Sequence, residues 1–336
     1  MRPTPAPQSA AAASITGSAA RCLTPQGCQT PKSAAAASIA GRVAGRRRWL
    51  AAALACAAAA APAADGPITV RDDQGRHVTL QAPARRAIST APHATELAYA
   101  AGAGGYLAGT VLGSDYPPEA RALPSIGDSL RPGLERAVAL RPDLLIAWQP
   151  AVPEPLPDLM RRLGVPVYYS DPRTLAAIAD SVETLGRLFG TEAQAGPAAA
   201  ALRARLAALQ ARYAGRQPVR VFIQAGLQPL YTLNGASIVS DAVRLCGGIN
   251  VFADAPVLAP QVSLESVLAA RPQAVVAGVL GPADAEASRR AWREHGLPAA
   301  APGQVISLDA DMLYRPGPRL VDAAEQLCAA LDQARR

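Results

Sequence analysis

From residue 68 onward, two patterns of apolar positions alternate along the chain. Short apolar runs predict strands over 87–90, 107–111, 144–148, 165–169, 219–225, 274–278 and 305–308. Apolar positions at helical spacing predict helices over 95–101, 134–140, 157–163, 175–189, 237–246, 264–270, 285–295 and 318–334. Residues 68–80 (ITVRDDQGRHVTL) predict a separate hairpin with glycine in its turn. Strands and helices that alternate in this way predict an α/β fold with mainly parallel sheets.

One helix–strand unit occurs twice in the sequence. Residues 134–148 read LERAVALRPDLLIAW, and residues 264–278, which lie 130 positions later, read LESVLAARPQAVVAG. Glu135 matches Glu265, and each copy contains an Arg-Pro break between its helix and its strand. The repeat predicts two similar lobes related by pseudo-symmetry. Chance similarity between two units of an alanine-rich chain is the alternative.

The segment between the two copies predicts a single long helix over 191–213. Its apolar residues Leu202, Leu206 and Leu209 share one helical stripe with Tyr213. At 1.5 Å per residue this helix is roughly 35 Å long, which is enough to run along both lobes. We therefore expect an N-terminal lobe over 65–190, this linking helix, and a C-terminal lobe over 214–336, with little movement between the lobes.

The first 64 residues predict export. A basic cluster at 46–48 precedes an apolar run of about 13 residues and the sequence Ala61-Pro62-Ala63-Ala64, which together indicate a signal peptide. The apolar run is too short to span a membrane. A signal peptide of ordinary size would begin at Val43, so residues 1–42 are interpreted as an extension before the true start. A lipid anchor at Cys56 is the less favoured alternative.

The net charge of +7 belongs to this leader. Of the 33 basic residues, seven lie within 1–64, where no acidic residue occurs, which leaves 26 basic and 26 acidic residues in 65–336. The neutral body removes the argument for a nucleic-acid partner that the total charge would make. The body contains two cysteines, Cys246 and Cys328, which favour one disulfide in an exported chain. Two buried free thiols are the alternative.

The residues of the body do not form a recognisable catalytic constellation. Lys32, in the leader, is the single lysine, so a Walker lysine and a Schiff-base lysine are both excluded, and G-x-S-x-G is absent. Three histidines occur without metal-binding spacing. Among them, His93 precedes a predicted helix and is interpreted as a cap-region or cleft-facing residue, with a ligand to a bound metal centre as the alternative. We expect a binding protein; an exported enzyme or a structural envelope protein are the other classes considered.

Aromatic residues cluster at predicted strand–loop junctions. They are Tyr116, Trp148, Tyr168, Tyr169, Tyr231 and Tyr314. Ligands of open α/β sheets bind beyond the carboxyl ends of the strands, so these rings predict a cleft for a large, flat, partly apolar ligand. Packing within the protein is the alternative for each ring, and Trp148 is the one we expect to face the ligand.

Six segments together resemble the periplasmic cobalamin-binding proteins of ABC importers. They are SDYPPEA (114–120), LERAVALRPDLLIAW (134–148), RVFIQAG (220–226), LCGGINVF (245–252), PQVSLESVLAARPQA (260–274) and RPGPR (315–319). The resemblance covers the chain from about Ile88 to Leu331. It implies a monomer with two α/β lobes joined by one helix, a corrinoid ligand in the cleft, no catalytic cofactor, and a disulfide between Cys246 and Cys328.

The resemblance also implies roles for individual residues. Glu135 and Glu265 match acidic residues that dock onto arginines of the membrane permease, and two pseudo-symmetric carboxylates suit a two-fold symmetric partner. Trp148 matches a tryptophan of the cleft. Asp311 and Arg315 match residues that hydrogen-bond the corrin amide groups.

The cleft departs from the family pattern at four aromatic positions, which are Gly113, Ser129, Ala225 and Ala259 here. The candidates to replace the lost surface are Tyr116, Tyr231, Tyr168, Tyr169, Met312 and Tyr314. A variant corrinoid such as cobinamide, or another tetrapyrrole, therefore stays open. Haem-binding relatives carry a ligating tyrosine in V-G-Y, where this chain has Ile126-Gly127-Asp128. With Tyr116 or His93 as a substitute, haem is the alternative ligand, followed by a ferric siderophore.

Overall fold

The computed structural model describes residues 66–148, 153–296 and 303–335. The predicted signal peptide and Cys56 lie outside the described residues. The strands are β1 (Ile68–Arg71), β2 (His77–Leu80), β3 (Ala87–Ser89), β4 (Leu107–Gly109), β5 (Leu144–Ala147), β6 (Val167–Tyr169), β7 (Val219–Gln224), β8 (Gly226–Leu227), β9 (Leu230–Tyr231), β10 (Gly248–Asn250), β11 (Ala274–Val279) and β12 (Val305–Asp309). The helices are α1 (Pro92–Ala100), α2 (Leu134–Ala139), α3 (Pro155–Arg162), α4 (Leu175–Phe189), α5 (Glu192–Tyr213), α6 (Ile238–Leu245), α7 (Leu264–Ala269), α8 (Pro282–Glu294), α9 (Ala310–Leu313) and α10 (Arg319–Ala334).

Two four-stranded parallel sheets form the centre of the fold. Their strand orders are β4-β3-β5-β6 and β10-β7-β11-β12. In both sheets the first strand along the chain (β3 or β7) occupies the second position, and the next large-sheet strand (β4 or β10) lies beside it at the edge. The remaining two strands then follow in the third and fourth positions. The two strands of the sequence repeat, β5 and β11, therefore occupy the same position. The predicted α/β class with mainly parallel sheets is confirmed.

The Arg-Pro break of the repeat has the same backbone conformation in both copies. Arg141 has φ of 47° and Arg271 has φ of 46°, and they are the non-glycine residues with positive φ in the described part of the chain. A left-handed conformation is costly for a residue with a side chain. Its recurrence at equivalent positions indicates that the two units share a structure as well as a sequence pattern.

A second arginine pair reinforces each unit. The guanidinium of Arg86 donates to the carbonyl of Leu140 at the end of α2, at 2.9 and 3.2 Å. The guanidinium of Arg220 donates in the same way to the carbonyl of Ala270 at the end of α7. Each arginine satisfies helix-terminal carbonyls that have no partner within the helix.

The predicted linking helix is present as α5. Its 22 residues correspond to about 33 Å at 1.5 Å per residue. Two of its arginines form ion pairs on opposite sides of the linker: Arg203 with Asp180 and Glu183 on α4, and Arg205 with Asp322 and Glu325 on α10. The helix is thus attached to elements that precede it and to elements that follow it.

One apolar core is shared by both sheets. It contains the inward residues of β3 and β5 together with those of β7 and β11, and it continues through α4, α6 and α10. Cys246 and Cys328 are fully buried in this core and form the predicted disulfide between the end of α6 and α10. The continuous core favours a fixed relation between the two sheets, whereas the disulfide links two helices that both follow α5.

The remaining differences from the sequence predictions concern short elements and helix ends. The short elements were not predicted, because two to four residues are too few to show a periodic pattern of apolar positions. They are β8, β9, β10 and α9. The predicted first helix begins three residues early, at Pro92, and α8 begins at Pro282. Proline favours the first turn of a helix, where its missing N–H costs nothing. No helix in the described ranges is long and apolar enough to cross a membrane.

Candidate ligand-binding cleft

A solvent-open cavity of about 270 Å³ lies beyond the carboxyl ends of both sheets. Its lining is mainly apolar and consists of Trp148, Asp171, Pro172, Arg173, Ala225, Leu233, Ala236, Ser237, Ile238, Val239, Leu258, Tyr314 and Pro316. Trp148 follows β5 and Asp171 follows β6, whereas Ala225 follows β7 of the second sheet. The cavity is therefore at the edge where α/β sheets bind ligands.

The indole of Trp148 is fixed at its polar end. Its Nε1–H donates to Oδ1 of Asp171 at 3.0 Å, and the other oxygen of that carboxylate accepts from Nε of Arg173 at 2.8 Å. The ring of His93 meets the indole edge-to-face, with 5.3 Å between centroids. Because these contacts hold the partly buried indole in one orientation, Trp148 is a preformed apolar surface in the cleft.

His93 supports Trp148 and does not line the cavity, so its predicted contact with a ligand is corrected. The side chain is only 2% exposed, and its Nε2–H donates to the carbonyl of Ser170 at 3.2 Å. Burial lowers the pKa of His93 to about 4, so the imidazole is neutral at neutral pH. The sequence predicted a cap-region or cleft-facing residue, but helix α1 begins at Pro92, so His93 lies in its first turn and is buried.

Tyr169 is also corrected, because it faces away from the cavity. Successive residues of a strand point to opposite sides of a sheet, and Tyr168 and Tyr169 are buried in separate cores on the two sides of β6. The guanidinium of Arg76 lies 3.9 Å from the centroid of the Tyr169 ring, and Arg161 donates to its hydroxyl. Neither tyrosine contributes to the cavity lining.

Tyr314 reaches the cavity from the segment after α9. Its hydroxyl donates to the carbonyl of Gln224 at 2.7 Å and accepts from the N–H of Gly278 at 3.0 Å. Burial raises the pKa of this phenol. The ring lies so close to Gly278 that a Cβ atom there would overlap it. Tyr314 is therefore fixed between the ends of β7 and β11.

An ionic cluster next to the cavity joins segments from the two sides of α5. Arg315 bonds to Asp115 at 2.8 Å and to Asp311 at 2.6 Å, while Arg319 bonds to both carboxylate oxygens of Glu96, at 3.0 and 2.6 Å. Glu96 is 3% exposed, and burial raises its pKa although both arginines oppose that shift. Asp311 and Arg315, predicted to face the ligand, are bound to each other here and do not line the cavity itself.

The two other predicted tyrosines lie outside the lining. Tyr116 is 43% exposed, and the guanidinium of Arg319 lies 4.1 Å from the centroid of its ring. Tyr231 is on β9 and is 37% exposed. Met312 packs against the shared core. These side chains therefore do not replace aromatic surface within the cavity, and Tyr314 is the tyrosine that does.

Glu135 and Glu265 occupy the second position of α2 and α7, respectively, and both are exposed. Backbone hydrogen bonding and the hydroxyl of Ser263 lower the pKa of Glu265. Each carboxylate thus lies in the first turn of a helix, on equivalent units of the two sheets. Their contact with a permease stays a prediction.

Two polar residues of the cleft, Asp171 and Arg173, were not predicted from the sequence. Both directly follow a strand that was predicted correctly, in the segment Ser170-Asp171-Pro172-Arg173. Their position directly after a strand end was enough to mark them as candidates for the cleft. Only aromatic residues at strand ends were considered as candidates. Within the described residues, no group of three or more His, Cys, Asp or Glu side chains is arranged to hold a metal ion.

This fold and cleft define a class of substrate-binding protein. Residues 88–312 match the periplasmic binding protein family, and the chain belongs to that family. A vitamin B12-binding protein of Vibrio cholerae is 41% identical over 254 residues, which cover 76% of this chain and 91% of the relative.

Solved structures give the same relationship. The periplasmic vitamin B12-binding protein BtuF of Vibrio cholerae superposes with a TM-score of 0.69 at 41% identity, over 76% of this chain and 99% of BtuF. The periplasmic heme-binding protein RhuT of a Roseiflexus species superposes with a TM-score of 0.66 at 27% identity, over 75% of this chain and 99% of RhuT. The fold is common to both, and the sequence is more similar to the first.

Proposed function

We propose that this protein captures cobalamin or a related corrinoid in the cleft and delivers it to the permease of an ABC importer. In this proposal, the segments 65–190 and 214–336 act as two lobes that each supply one wall. The observation that carries it is an apolar cleft flanked by Trp148 and Tyr314 in a chain 41% identical to vitamin B12-binding proteins. The function is binding without turnover.

The chemistry of the lining suits a corrinoid. The corrin ring is a rigid macrocycle with methyl groups and amide side chains at its edge. Trp148 and the aliphatic side chains Leu233, Val239 and Leu258 supply apolar surface, while Ser237 and Asp171 supply polar groups for amides. A ligand as large as a corrinoid would fill the cavity of about 270 Å³ and extend through its open side.

Haem is the second ligand considered, and three observations weigh against it. The imidazole of His93 is buried and bonded to Ser170, and the hydroxyl of Tyr314 is bonded to two backbone groups. Tyr116 lies outside the cavity lining, beneath Arg319. None of these side chains is positioned as an axial ligand for a metal in the cavity, whereas a corrinoid carries its own cobalt ligands.

Co-migration tests the ligand assignment. The protein is mixed separately with cyanocobalamin, dicyanocobinamide and haemin, and each mixture is passed over a desalting column. We expect a corrinoid chromophore to elute with the protein at one equivalent. If only haemin eluted with the protein, the ligand would be haem instead of a corrinoid. If none of the three ligands eluted with the protein, the assignment would be overturned.

In the proposed delivery step, Glu135 and Glu265 contact the permease. They are exposed and lie on equivalent helices, which matches the geometry of a two-fold symmetric partner. Charge reversal of both residues should abolish uptake of corrinoid and leave its affinity unchanged. Unaltered uptake would exclude the docking role.

Export supplies the location of this function. We infer that a signal peptide ending near Ala64 directs the chain to the periplasm, with a lipid anchor at Cys56 as the alternative. Mass spectrometry of the protein from the envelope fraction distinguishes them. An N-terminus near Asp65 supports the signal peptide, whereas a lipid-modified peptide that begins at Cys56 supports the anchor.

A further inference from the structure

Arg173 is the one side chain with a formal positive charge among the described lining residues of the cleft. It follows β6 by four residues and immediately precedes Thr174, which caps α4. Its side chain is 57% exposed. The cleft therefore presents one cation, on the wall that also carries Trp148.

The orientation of this guanidinium is set by Asp171. Nε and one terminal nitrogen of Arg173 bond to Oδ2 of Asp171, at 2.8 and 2.5 Å. An arginine has five N–H donors in a planar fork, so the second terminal nitrogen keeps its donors for another acceptor. The backbone N–H of Asp171 in turn donates to Asp73 at 2.6 Å, which fixes the loop that holds the pair.

The surroundings add positive potential on the opposite wall. Ser237, Ile238 and Val239 line the cavity at the N-terminal turn of α6, which is the positive end of the helix dipole. Two carboxylates oppose this potential: Asp171, and Asp241, which bonds to Arg244 and to the backbone N–H of Leu175. Asp241 is paired with other groups, and Asp171 occupies Nε and one terminal nitrogen of Arg173, so the second terminal nitrogen of Arg173 is the donor left for a ligand.

We propose that Arg173 recognises the phosphodiester of a complete corrinoid and so distinguishes cobalamin from cobinamide. This inference depends on the proposed function. The amide side chains of the corrin ring are neutral, and the phosphodiester that links the ring to its nucleotide base carries the negative charge of that loop. Arginine bonds to phosphate oxygens with its planar fork, and such charge-assisted bonds are stronger than neutral ones. Cobinamide lacks both the phosphate and the base.

Calorimetric titrations of wild-type protein and of Arg173→Gln with three corrinoids test this role. The ligands are cyanocobalamin, dicyanocobinamide, and cobinamide phosphate, which carries the phosphate without the base. We expect Arg173→Gln to weaken binding of both phosphorylated ligands by about 10- to 100-fold and to leave cobinamide unchanged. Arg173→Lys, which retains the charge without the fork, should recover part of the loss.

Cobinamide is the internal control, because it has the same ring. If Arg173 acted only by holding Asp171 and Trp148, all three ligands would weaken equally, which would overturn the inference. Loss for cobalamin without loss for cobinamide phosphate would also overturn it, since the base would then be the recognised group. Arg289→Gln, which breaks an exposed pair with Glu286 outside the cleft, should change nothing. If wild-type protein binds no corrinoid, the proposed function fails, whatever the variant does.

Discussion

Tyr314 occupies the space in front of Gly278 and accepts its backbone hydrogen bond at 3.0 Å. In the sequence repeat, Gly278 is the counterpart of Trp148. The first sheet thus presents an aromatic side chain directly at the end of its third strand. The second sheet presents one at the same place by inserting Tyr314 from a later segment. Each wall of the cleft therefore carries one aromatic ring next to the end of its third strand, although the repeat is broken at this position.

Gly278→Ala should damage the cleft as well as the fold. The added methyl group would overlap the Tyr314 ring, so the ring must shift and its two backbone hydrogen bonds must weaken. Overpacking of this kind typically costs about 1–3 kcal/mol of stability. We expect a lower urea midpoint together with weaker corrinoid binding in calorimetry.

Gly196→Ala is the matched control. Gly196 lies within α5, and apart from its chain neighbours a Cβ atom there meets no atom within 4 Å. The substitution should change stability by less than about 1 kcal/mol, because the gain from replacing a helical glycine is opposed by the crowding that Pro197 imposes on the residue before it. Equal behaviour of the two alanine variants would contradict the role given to the Tyr314–Gly278 contact.

Asp171 should act as a positioning residue for Trp148. Asp171→Ala removes the acceptor of the indole N–H, whereas Asp171→Asn retains an acceptor oxygen. We expect the alanine variant to shift tryptophan emission to the red and to bind corrinoid about tenfold more weakly, in line with the loss of about 1–2 kcal/mol for one hydrogen bond. The asparagine variant should recover most of both properties.

Trp148 and Trp292, the tryptophans of the described residues, differ in burial and can be distinguished by their fluorescence emission. Trp292 is fully buried and donates to Gln224, so its contribution should stay constant in these variants. Trp148 is partly exposed and accounts for the shift. An unchanged spectrum in Asp171→Ala would show that the hydrogen bond does not set the environment of the indole.

His93 should make the protein sensitive to acid. The pKa of His93 is about 4 in the folded protein and 6.5 in the unfolded chain. Between these two pH values, His93 is protonated in the unfolded chain and neutral in the folded protein. The free energy of unfolding is therefore unaffected by the protonation of His93 above pH 6.5. It decreases as the pH falls from 6.5 toward 4, by about 3 kcal/mol in total. Urea unfolding of wild type and His93→Gln at pH 7 and pH 5 measures it. Wild type should lose about 2 kcal/mol more than the variant by pH 5; equal losses would contradict the burial argument.

Glu96 should be needed for the stability of the ionic cluster. Glu96→Ala leaves Arg319, whose side chain is 16% exposed, without its carboxylate partner. Removal of one partner of a buried pair typically costs about 3–5 kcal/mol, whereas Glu96→Gln keeps an acceptor and should cost less. Urea denaturation provides the measurement. Glu286→Ala, on the exposed face of α8, is the control and should leave the midpoint unchanged; a similar loss in both alanine variants would show that burial is irrelevant.

Most of the fold could be predicted from local patterns. Apolar periodicity located the principal strands and helices, and the repeat predicted two similar lobes; the common connectivity of the two sheets was not predicted. Strand β10 was missed because Gly248–Asn250 contains a single large apolar residue, Ile249, which is half exposed. Such a strand depends on pairing with β7 and has no signal of its own.

The site could be predicted by position along the strands but not by direction. Trp148 and Tyr314 were placed at the carboxyl edge, and they line the cavity. Tyr169 also ends a strand, yet its side chain points to the outer core, and a one-residue change of register would have reversed that result. One ionic partner of Arg315, Asp115, lies 200 residues away in the sequence, which local patterns do not reveal.

Calorimetric titration of the protein with cyanocobalamin tests the central claim most directly, with dicyanocobinamide and haemin titrated in parallel. We predict saturable one-to-one binding of cyanocobalamin, and a loss of at least about tenfold in affinity for Trp148→Ala, since a buried aromatic contact contributes more than 1.4 kcal/mol. Silence with both corrinoids, or preferential binding of haemin, would contradict the claim that this cleft is built for a corrinoid.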